Sequence, residues 1–504
     1  MNIFLVLKTL GKLILLITGC MTIPLVMAFY TQSNDRIPFL IATALSLLIG
    51  LSLKYLFVAN DTSFSFREAF AISAFGWLTV GFVSAIPMFI TDYFGYQSIF
   101  GAIAIDYPYS NSFLACFSNC FFESMSGYSG TGASVISRIE DMPHPLLFWR
   151  CLHNWLGGMG ILVLFVAILP SLGSAGSKLF KSESSLSSSD SSIQFPKIAS
   201  LAKNLWIVYV GMTITAFVAL QIAGMSVFDA ICHAFTVMGT GGFSTRNESI
   251  AAFKSVSIET ILIIFMFLSS LNFLLLRSIL TCKFKQIFSN TEFRVYLSLI
   301  LGSIIAVTTV NFLSSSESIF MSEFRNAAFT IMSIASSTGF TTADYDQWPH
   351  FSKMVIIILM LIGGCASSTA GGLKVIRIII IAKFIQREFK KMIRPHGVFP
   401  IIVQDTVIEN KTVEMAAGYC LLFFGTLLGF STLISLLEND IVASITAILT
   451  CLSNMGPGFE SVGPTDNFAN FSSASKTLMA FCMAFGRLEM MAFFVLLSPK
   501  IWKK

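Results

Sequence analysis

Four short strings of small residues are the part of this chain that could do chemistry: Ser129-Gly130-Thr131-Gly132-Ala133, Gly239-Thr240-Gly241-Gly242-Phe243, Ser337-Thr338-Gly339-Phe340-Thr341 and Asn454-Met455-Gly456-Pro457-Gly458. None pairs a nucleophile with a base or one carboxylate with another. What they offer is backbone. Glycine reaches angles closed to other residues and keeps side chains out of the way of an approaching ion. Several such turns around one axis can replace the hydration shell of a cation with carbonyl oxygens. The expected centres are Gly132, Gly241, Gly339 and Gly456.

Each string follows a half-helix, Phe113–Ser126, Phe228–Val237, Glu323–Ala335 and Ile441–Leu452, too short to cross a hydrocarbon core of ~30 Å. Irregular backbone at that depth survives only buried in protein or lining a watery cavity. If the half-helices enter from outside, their negative C-terminal ends point at the axis and favour cations. The competing reading takes the glycines as ordinary helix-packing sites; it must then explain the same sequence of half-helix and turn four times. Glu123, His233 and Asn326 lie on the half-helices and are expected to bond neighbouring backbone rather than ions.

The rest of the chain agrees with a membrane setting. Of 504 residues, 55% are hydrophobic and 12% charged, too few polar groups for several soluble domains. Leu13–Phe29, Ala71–Ile90, Leu146–Leu169, Ile258–Leu280 and Leu478–Leu497 each match the ~17–25 residues of a transmembrane helix. Solid apolar runs exclude an outer-membrane barrel, whose strands alternate. The first apolar run follows Lys8 and Lys12 without a small-residue cleavage motif and reads as a retained helix. The ten cysteines include no Cys-x-x-Cys pair, and His144, His153, His350 and His396 have no metal-ligand spacing.

Basic residues gather in alternate connections: Lys178, Lys181, Lys197 and Lys203; Lys283, Lys285 and Arg294; Lys383, Arg387, Lys390, Lys391 and Arg394; and Lys500, Lys503 and Lys504 at the end. These sides are expected to be cytoplasmic. The opposite connections carry Asp92, Asp106, Glu140, Asp141, Glu248, Glu317, Glu323, Asp344, Asp346, Glu460 and Asp466, an acidic mouth that draws cations. A membrane enzyme is disfavoured because Thr131 stands where a nucleophile elbow at Ser129 needs its second glycine. Nucleotide binding by Gly239-Thr240-Gly241-Gly242 is disfavoured because a half-helix, not a strand, precedes it.

The chain resembles the TrkH/KtrB family of K⁺ uptake proteins, the TrkH branch most, in the superfamily that includes plant HKT transporters. The likeness is carried by Trp155-Leu156-Gly157-Gly158-Met159-Gly160 through Ile168-Leu169-Pro170, by Thr240-Gly241-Gly242-Phe243-Ser244-Thr245, by Thr338-Gly339-Phe340-Thr341-Thr342-Ala343-Asp344, by Asn454-Met455-Gly456-Pro457-Gly458 and by Gly363-Gly364-Cys365-Ala366-Ser367-Ser368-Thr369-Ala370-Gly371-Gly372-Leu373-Lys374. The resemblance implies an all-α integral membrane protein with four pseudo-symmetric helix, pore loop, helix repeats around one pore, plus two extra N-terminal helices. It also implies a homodimer in the bacterial inner membrane, ten crossings with both termini cytoplasmic, and a cytoplasmic TrkA/KtrA-like nucleotide-binding regulatory subunit. No resident cofactor, catalytic residue or nucleic-acid partner is implied; K⁺ is the cargo and the only metal. On this reading the filter comprises Ser129, Gly130, Thr131, Gly132, Gly239, Thr240, Gly241, Ser337, Thr338, Gly339, Asn454, Met455 and Gly456. Gly130 and Gly239 depart from the family pattern and are expected to loosen two quarters. Four central glycines favour K⁺, since Na⁺-selective HKT relatives are associated with serine in the first. The alternative within the same fold is a Na⁺-permeable or Na⁺/H⁺-coupled K⁺ symporter.

The expected organisation is residues 1–62 for the extra helices, 63–172 for the first repeat, 173–200 for a serine-rich linker, 201–282 and 283–385 for the second and third repeats, 386–410 for a cytoplasmic loop and 411–504 for the fourth repeat. A straight helix from Ser352 to Lys383 would extend about 48 Å and overrun the membrane, so it must break, and the break is written at Gly363–Gly372. Gly363, Gly364, Ser367, Ser368, Thr369, Gly371, Gly372 and Lys374 are the expected intramembrane gate, against a static kink as the alternative. Arg487, beside Glu489 in an apolar run, is expected to face the cavity below the filter, because an ionisable residue in a membrane span is a functional hypothesis by default.

Overall fold

The computed structural model describes residues 1–57, 66–96, 99, 112–158, 195–273, 275–276, 284–314, 319–404, 406–488 and 490–502. The serine-rich linker before Phe195, the Met159-to-Pro170 part of the family motif and Glu489 lie outside them.

The described chain is built from helices, with one two-stranded antiparallel ribbon, β1 (Ile402–Val403) on β2 (Thr406–Val407). Helices α1 (Ile3–Tyr30) and α2 (Arg36–Leu56) form a hairpin on α3 (Phe66–Tyr93). Glycines let the hairpin close: a Cβ on Gly11 would lie 2.8 Å from the Cβ of Leu53, and one on Gly50 2.9 Å from the side chain of Leu15.

Beyond α3, a short helix recurs between two others. The short helices are α4 (Phe113–Ser129), α7 (Val227–Met238), α11 (Phe320–Ala335) and α15 (Ile441–Ser453). They are preceded by α3, α6 (Phe195–Ile222), α10 (Thr291–Ser314, after the short α9, Phe284–Ser289) and α14 (Asn410–Leu437). They are followed by α5 (His144–Gly158), α8 (Val256–Ser270), α12 (His350–Ile362) and α16 (Ser473–Arg487). Helix α13 (Val375–Ile393) continues α12 after a gap, and α17 (Met491–Leu496) with α18 (Pro499–Trp502) closes the chain.

Packing arranges these units in a ring. Helix α5 packs on α7, α8 on α11, α12 on α15, and α16 returns to α4. Three of the four short helices start where the sequence supplies caps: the side chains of Ser112, Ser226 and Asp440 accept from the amides of Ala115, Asp229 and Ala443, while α11 follows Ile319, whose apolar side chain cannot cap it. Their C-terminal halves carry the core. Phe121, Phe122, Met125, Ala234, Val237, Met238, Phe329, Ile331, Ile334, Ala447, Ile448 and Leu452 are all at most 1% exposed.

Among the described residues, six helices are long and apolar enough to cross a membrane: α1, α2, α3, α6, α10 and α14. Two stretches expected as continuous spans are interrupted instead. The helix through Ile258 stops at Ser270, and Leu478–Leu497 breaks between Arg487 and Met491, where Met490 takes a φ of 57°. With the break after Ile362, the second helix of each of the last three units therefore ends partway along its apolar run, whereas the expected continuation of α5 beyond Gly158 lies outside the described residues. Apolar length does not report such breaks, because residues that pack around an unwound segment are as apolar as those facing lipid.

Candidate functional site

All four short helices end the same way. A residue in the left-handed region follows the helix, Gly130 (φ 72°), Thr240 (50°), Ser337 (53°) or Asn454 (51°), and a glycine with positive φ comes two residues later, Gly132 (79°), Gly242 (67°), Gly339 (84°) or Gly456 (91°). The intervening amide closes back on the helix: Thr131 N to Ser126 O, Gly241 N to Thr236 O and Thr338 N to Ser333 O are each 2.9 Å, and Met455 N to Thr450 O is 3.0 Å. This is a left-handed C-cap with its six-to-one hydrogen bond.

The shared geometry corrects the expected centre of the second turn by one residue, from Gly241 to Gly242. With two adjacent glycines the sequence leaves the register open; the backbone angles and the bond from Gly241 N decide it. The correction also changes the meaning of the two glycines expected to loosen the ring. Gly130 occupies the left-handed position, which in the other turns strains a threonine, a serine and an asparagine. Gly239 ends a helix where a Cβ would lie 2.2 Å from the carbonyl oxygen of Asn154. The first is local relief and the second close packing.

The four turns touch in cyclic order. A Cβ on Gly132 would lie 2.0 Å from the carbonyl oxygen of Gly241, one on Gly242 2.1 Å from that of Thr338, one on Gly339 2.2 Å from that of Met455, and one on Gly456 2.8 Å from that of Thr131. Each central glycine thus faces the carbonyl just before the next turn's centre. Asn454 Nδ2 donates to Thr131 Oγ1 at 3.1 Å across the fourth contact. Ser129, Thr131, Thr240, Ser337, Thr338, Asn454 and Met455 are at most 1% exposed. In turns one and three the hydroxyls pair alike, Ser129 with Thr131 at 2.6 Å and Ser336 with Thr338 at 2.7 Å. A cavity of about 150 Å³ opens on the ring and is lined by Gly132, Gly242, Gly339 and Gly456 together.

On another side the ring meets residues 363–374, which are unwound between α12 and α13 as the sequence implied. The segment folds back on the end of α12, with Leu373 N bonded to Leu361 O (3.1 Å) and Lys374 N to Ile362 O (2.9 Å). Its neighbours hold it from several directions. Gly371 N donates to Ser337 Oγ (2.6 Å), and a Cβ on Gly371 would meet Ser453 O at 2.0 Å. Cys365 N donates to Ser270 O (3.1 Å) and Thr369 Oγ1 to Ser269 O (3.0 Å). Ala366 N donates to the buried carboxylate of Glu292 (2.7 Å), and Lys374 Nζ to Ala370 O.

Arg487 is near the first turn, its Nη1 3.9 Å from the place of a Gly130 Cβ. Its guanidinium does not simply face open space, however. Nη1 donates to Thr369 O (2.6 Å), and Nη2 to Gly157 O (2.9 Å) and Gly158 O (3.3 Å). It ties the unwound segment to the end of α5.

Behind turns one and two sits a buried ion pair. Arg150 Nε lies 2.5 Å from Glu123 Oε1, with the side chains 1% and 0% exposed. Glu123 also accepts from Val135 N (3.0 Å) and Ser134 Oγ (3.1 Å). Arg150 Nη1 donates to Ser244 O (3.0 Å), and its guanidinium lies 3.6 Å from the Phe243 ring centre. His233 bonds Asp229 O (2.7 Å) and Ser244 Oγ (2.9 Å). Glu123 and His233 thus serve protein groups, as expected. Arg150, Asn154 and Glu292 were missed; the signal was available for Arg150, a charge that interrupts an apolar helical run, whereas Glu292 stands among the polar residues at the start of α10. Asn154, which donates to Gly127 O (2.8 Å) and accepts from Phe243 N (3.3 Å), left no such signal.

The profile of the TrkH family, described as cation transport proteins, matches residues 36–504. The chain belongs to the TrkH family. It is 33% identical over 502 residues to the Trk system potassium uptake protein TrkH of Salmonella typhimurium, covering 99% of each chain. It is 32% identical to the protein of the same name from Halomonas elongata, covering all of both. The crystal structure of the potassium transporter TrkH from Vibrio parahaemolyticus matches over 100% of both chains, with a TM-score of 0.86 and 28% identity. This TrkH-family chain is accordingly an all-α, multi-pass integral membrane protein and a transporter, not an enzyme.

Proposed function

We propose that this chain takes up K⁺ across the bacterial inner membrane, both termini cytoplasmic, through a pseudo-fourfold filter made by the turns around Gly132, Gly242, Gly339 and Gly456. The observation that carries the reading is the cyclic contact of each central glycine with a carbonyl of the next turn. Such a ring presents backbone oxygens at one level on all sides, the requirement for binding a cation stripped of water. Four helix C-termini add a field of the right sign. The membrane potential supplies the work: ~2.3 kcal/mol per charge per 100 mV, against ~1.4 kcal/mol per tenfold gradient.

Residues 363–374 act as the gate. They press on Ser337 and Ser453 in the third and fourth turns, and Arg487 latches them to α5 through Thr369. The Arg487 charge also raises the energy of a passing cation, by about 2 kcal/mol at ~8 Å and an effective dielectric of ~20. The working assembly is a homodimer with one pathway per subunit. A cytoplasmic TrkA/KtrA-like nucleotide-binding subunit regulates it; the basic end of α13, with Lys383, Arg387, Lys390 and Lys391, lies on the side where that partner docks.

The test is uptake by purified protein in liposomes under an imposed potential, comparing K⁺, Rb⁺, Na⁺ and Li⁺. K⁺ and Rb⁺ should enter well ahead of Na⁺ and Li⁺; equal entry of all four would sink the filter. Flux that depends on a Na⁺ or H⁺ gradient at fixed potential would replace passive conduction with symport. Deleting residues 363–372 should raise flux, and unaltered flux in the folded deletion would make the segment a static kink.

A further inference from the structure

We propose that Glu123 and Arg150 are a positioning pair for ion selection, holding the first and second turns at a fixed separation. The inference rests on the filter reading above and assigns it two residues that touch no ion.

Glu123 lies on α4 nine residues before Gly132, and its carboxylate binds Ser134 and Val135, the stretch just after that glycine. Arg150, on α5, takes the same carboxylate through Nε and reaches the second unit through Nη1, on Ser244 O, two residues beyond Gly242. Its flat face covers Phe243, next to Gly242. One continuous run of charge-assisted bonds therefore joins the exit of turn one to the exit of turn two. It continues from Ser244 Oγ to His233, which stands nine residues before Gly242 as Glu123 does before Gly132. The corresponding residues of the other two units are Thr330 and Ala447, neither of them charged.

Stability alone is a poor reason for such a pair. Desolvating two charges commonly offsets their attraction, and apolar replacements of similar volume are often at least as stable. What the pair supplies is geometry: a short, planar, directional connection. A carbonyl ring discriminates between cations through its width and its number of oxygens within reach, and both change if one turn slides past its neighbour.

The experiment compares wild type, Glu123→Gln, Arg150→Lys and Ser134→Ala in the liposome assay, reading the K⁺-to-Na⁺ flux ratio rather than total flux. Loss of folded protein lowers both fluxes together; only a displaced filter changes their ratio. Glu123→Gln should lower the ratio about tenfold. Arg150→Lys keeps the charge but cannot span Glu123 and Ser244, and should act in the same direction; Ser134→Ala should do so more weakly. Should Glu123→Gln fail to fold, the other two decide. A wild-type ratio in the folded variants overturns the positioning role while leaving the filter intact. A wild-type protein that does not discriminate overturns the filter reading, and this inference with it.

Discussion

The two halves of the ring are held by different means. Turns one and two are backed by the Glu123–Arg150 pair and by His233, all at most 1% exposed. Turns three and four have no charge at the matching places. They carry the unwound segment against them, through Gly371 on Ser337 Oγ and Ser453 O. Their loops are tied by Asp346, which bonds Lys353 (3.0 Å) and the amide of Glu460 (2.7 Å) with side chains 18–25% exposed. A proposed gate must form and lose contacts, and the ones this segment makes on turns three and four themselves, Gly371 on Ser337 Oγ and on Ser453 O, are neutral and easily exchanged. The other half is braced by bonds that are expensive to break, because each would strand a buried charge.

The sharpest way to break this comparison is at the central glycines. Gly132→Ser and Gly242→Ser each put a Cβ into a neighbouring carbonyl at 2.0–2.1 Å with φ positive. Both should lower the K⁺-to-Na⁺ ratio at least about tenfold, given ~1–2 kcal/mol for the backbone alone and ~1.4 kcal/mol per decade. Gly241→Ser instead meets the Asn154 side chain at 2.3 Å, so folded yield should fall more than the ratio. Equal ratios for Gly241→Ser and Gly242→Ser would return the centre to Gly241.

Glu292→Gln probes the other half. Weakening the hydrogen bond that the Glu292 carboxyl accepts from Ala366 N, worth ~0.5–3 kcal/mol, should loosen Ala366 and raise K⁺ flux up to about tenfold with no change in ion preference; a shifted preference would mean that the two halves are not separable. Ser337→Ala removes a neutral bond of ~0.5–1.5 kcal/mol and should raise flux only a few-fold, measured the same way. Asp346→Asn is the mildest. A partly exposed pair contributes ~0–1 kcal/mol, so thermal unfolding in detergent should move little and the flux ratio not at all. A large ratio change here would show that the outer loops also set the ring.

Much of the site was legible in the chain because its chemistry is local. A half-helix of apolar residues, a cap and a glycine are short-range features, and each recurs within one unit; so is the glycine-rich break, whose helix was too long to stay straight. Contacts between units were not legible. Arg150 and Ser244 are separated by 94 residues, and Arg487 and Gly157 by 330, and nothing in a single sequence records which pair meets. The register of Gly239-Thr240-Gly241-Gly242 was also beyond it, since adjacent glycines leave the angles undetermined until neighbouring carbonyls close in.

The sequence by itself determined an all-helical membrane chain with four glycine turns, because hydrophobic length and backbone freedom are properties of the residues. Only the tertiary structure decided that the centre of the second turn is Gly242, that the turns close cyclically, and that one half is braced by buried charge while the other receives the unwound segment. Those are relations between groups distant in the chain, and only packing brings them within bonding range.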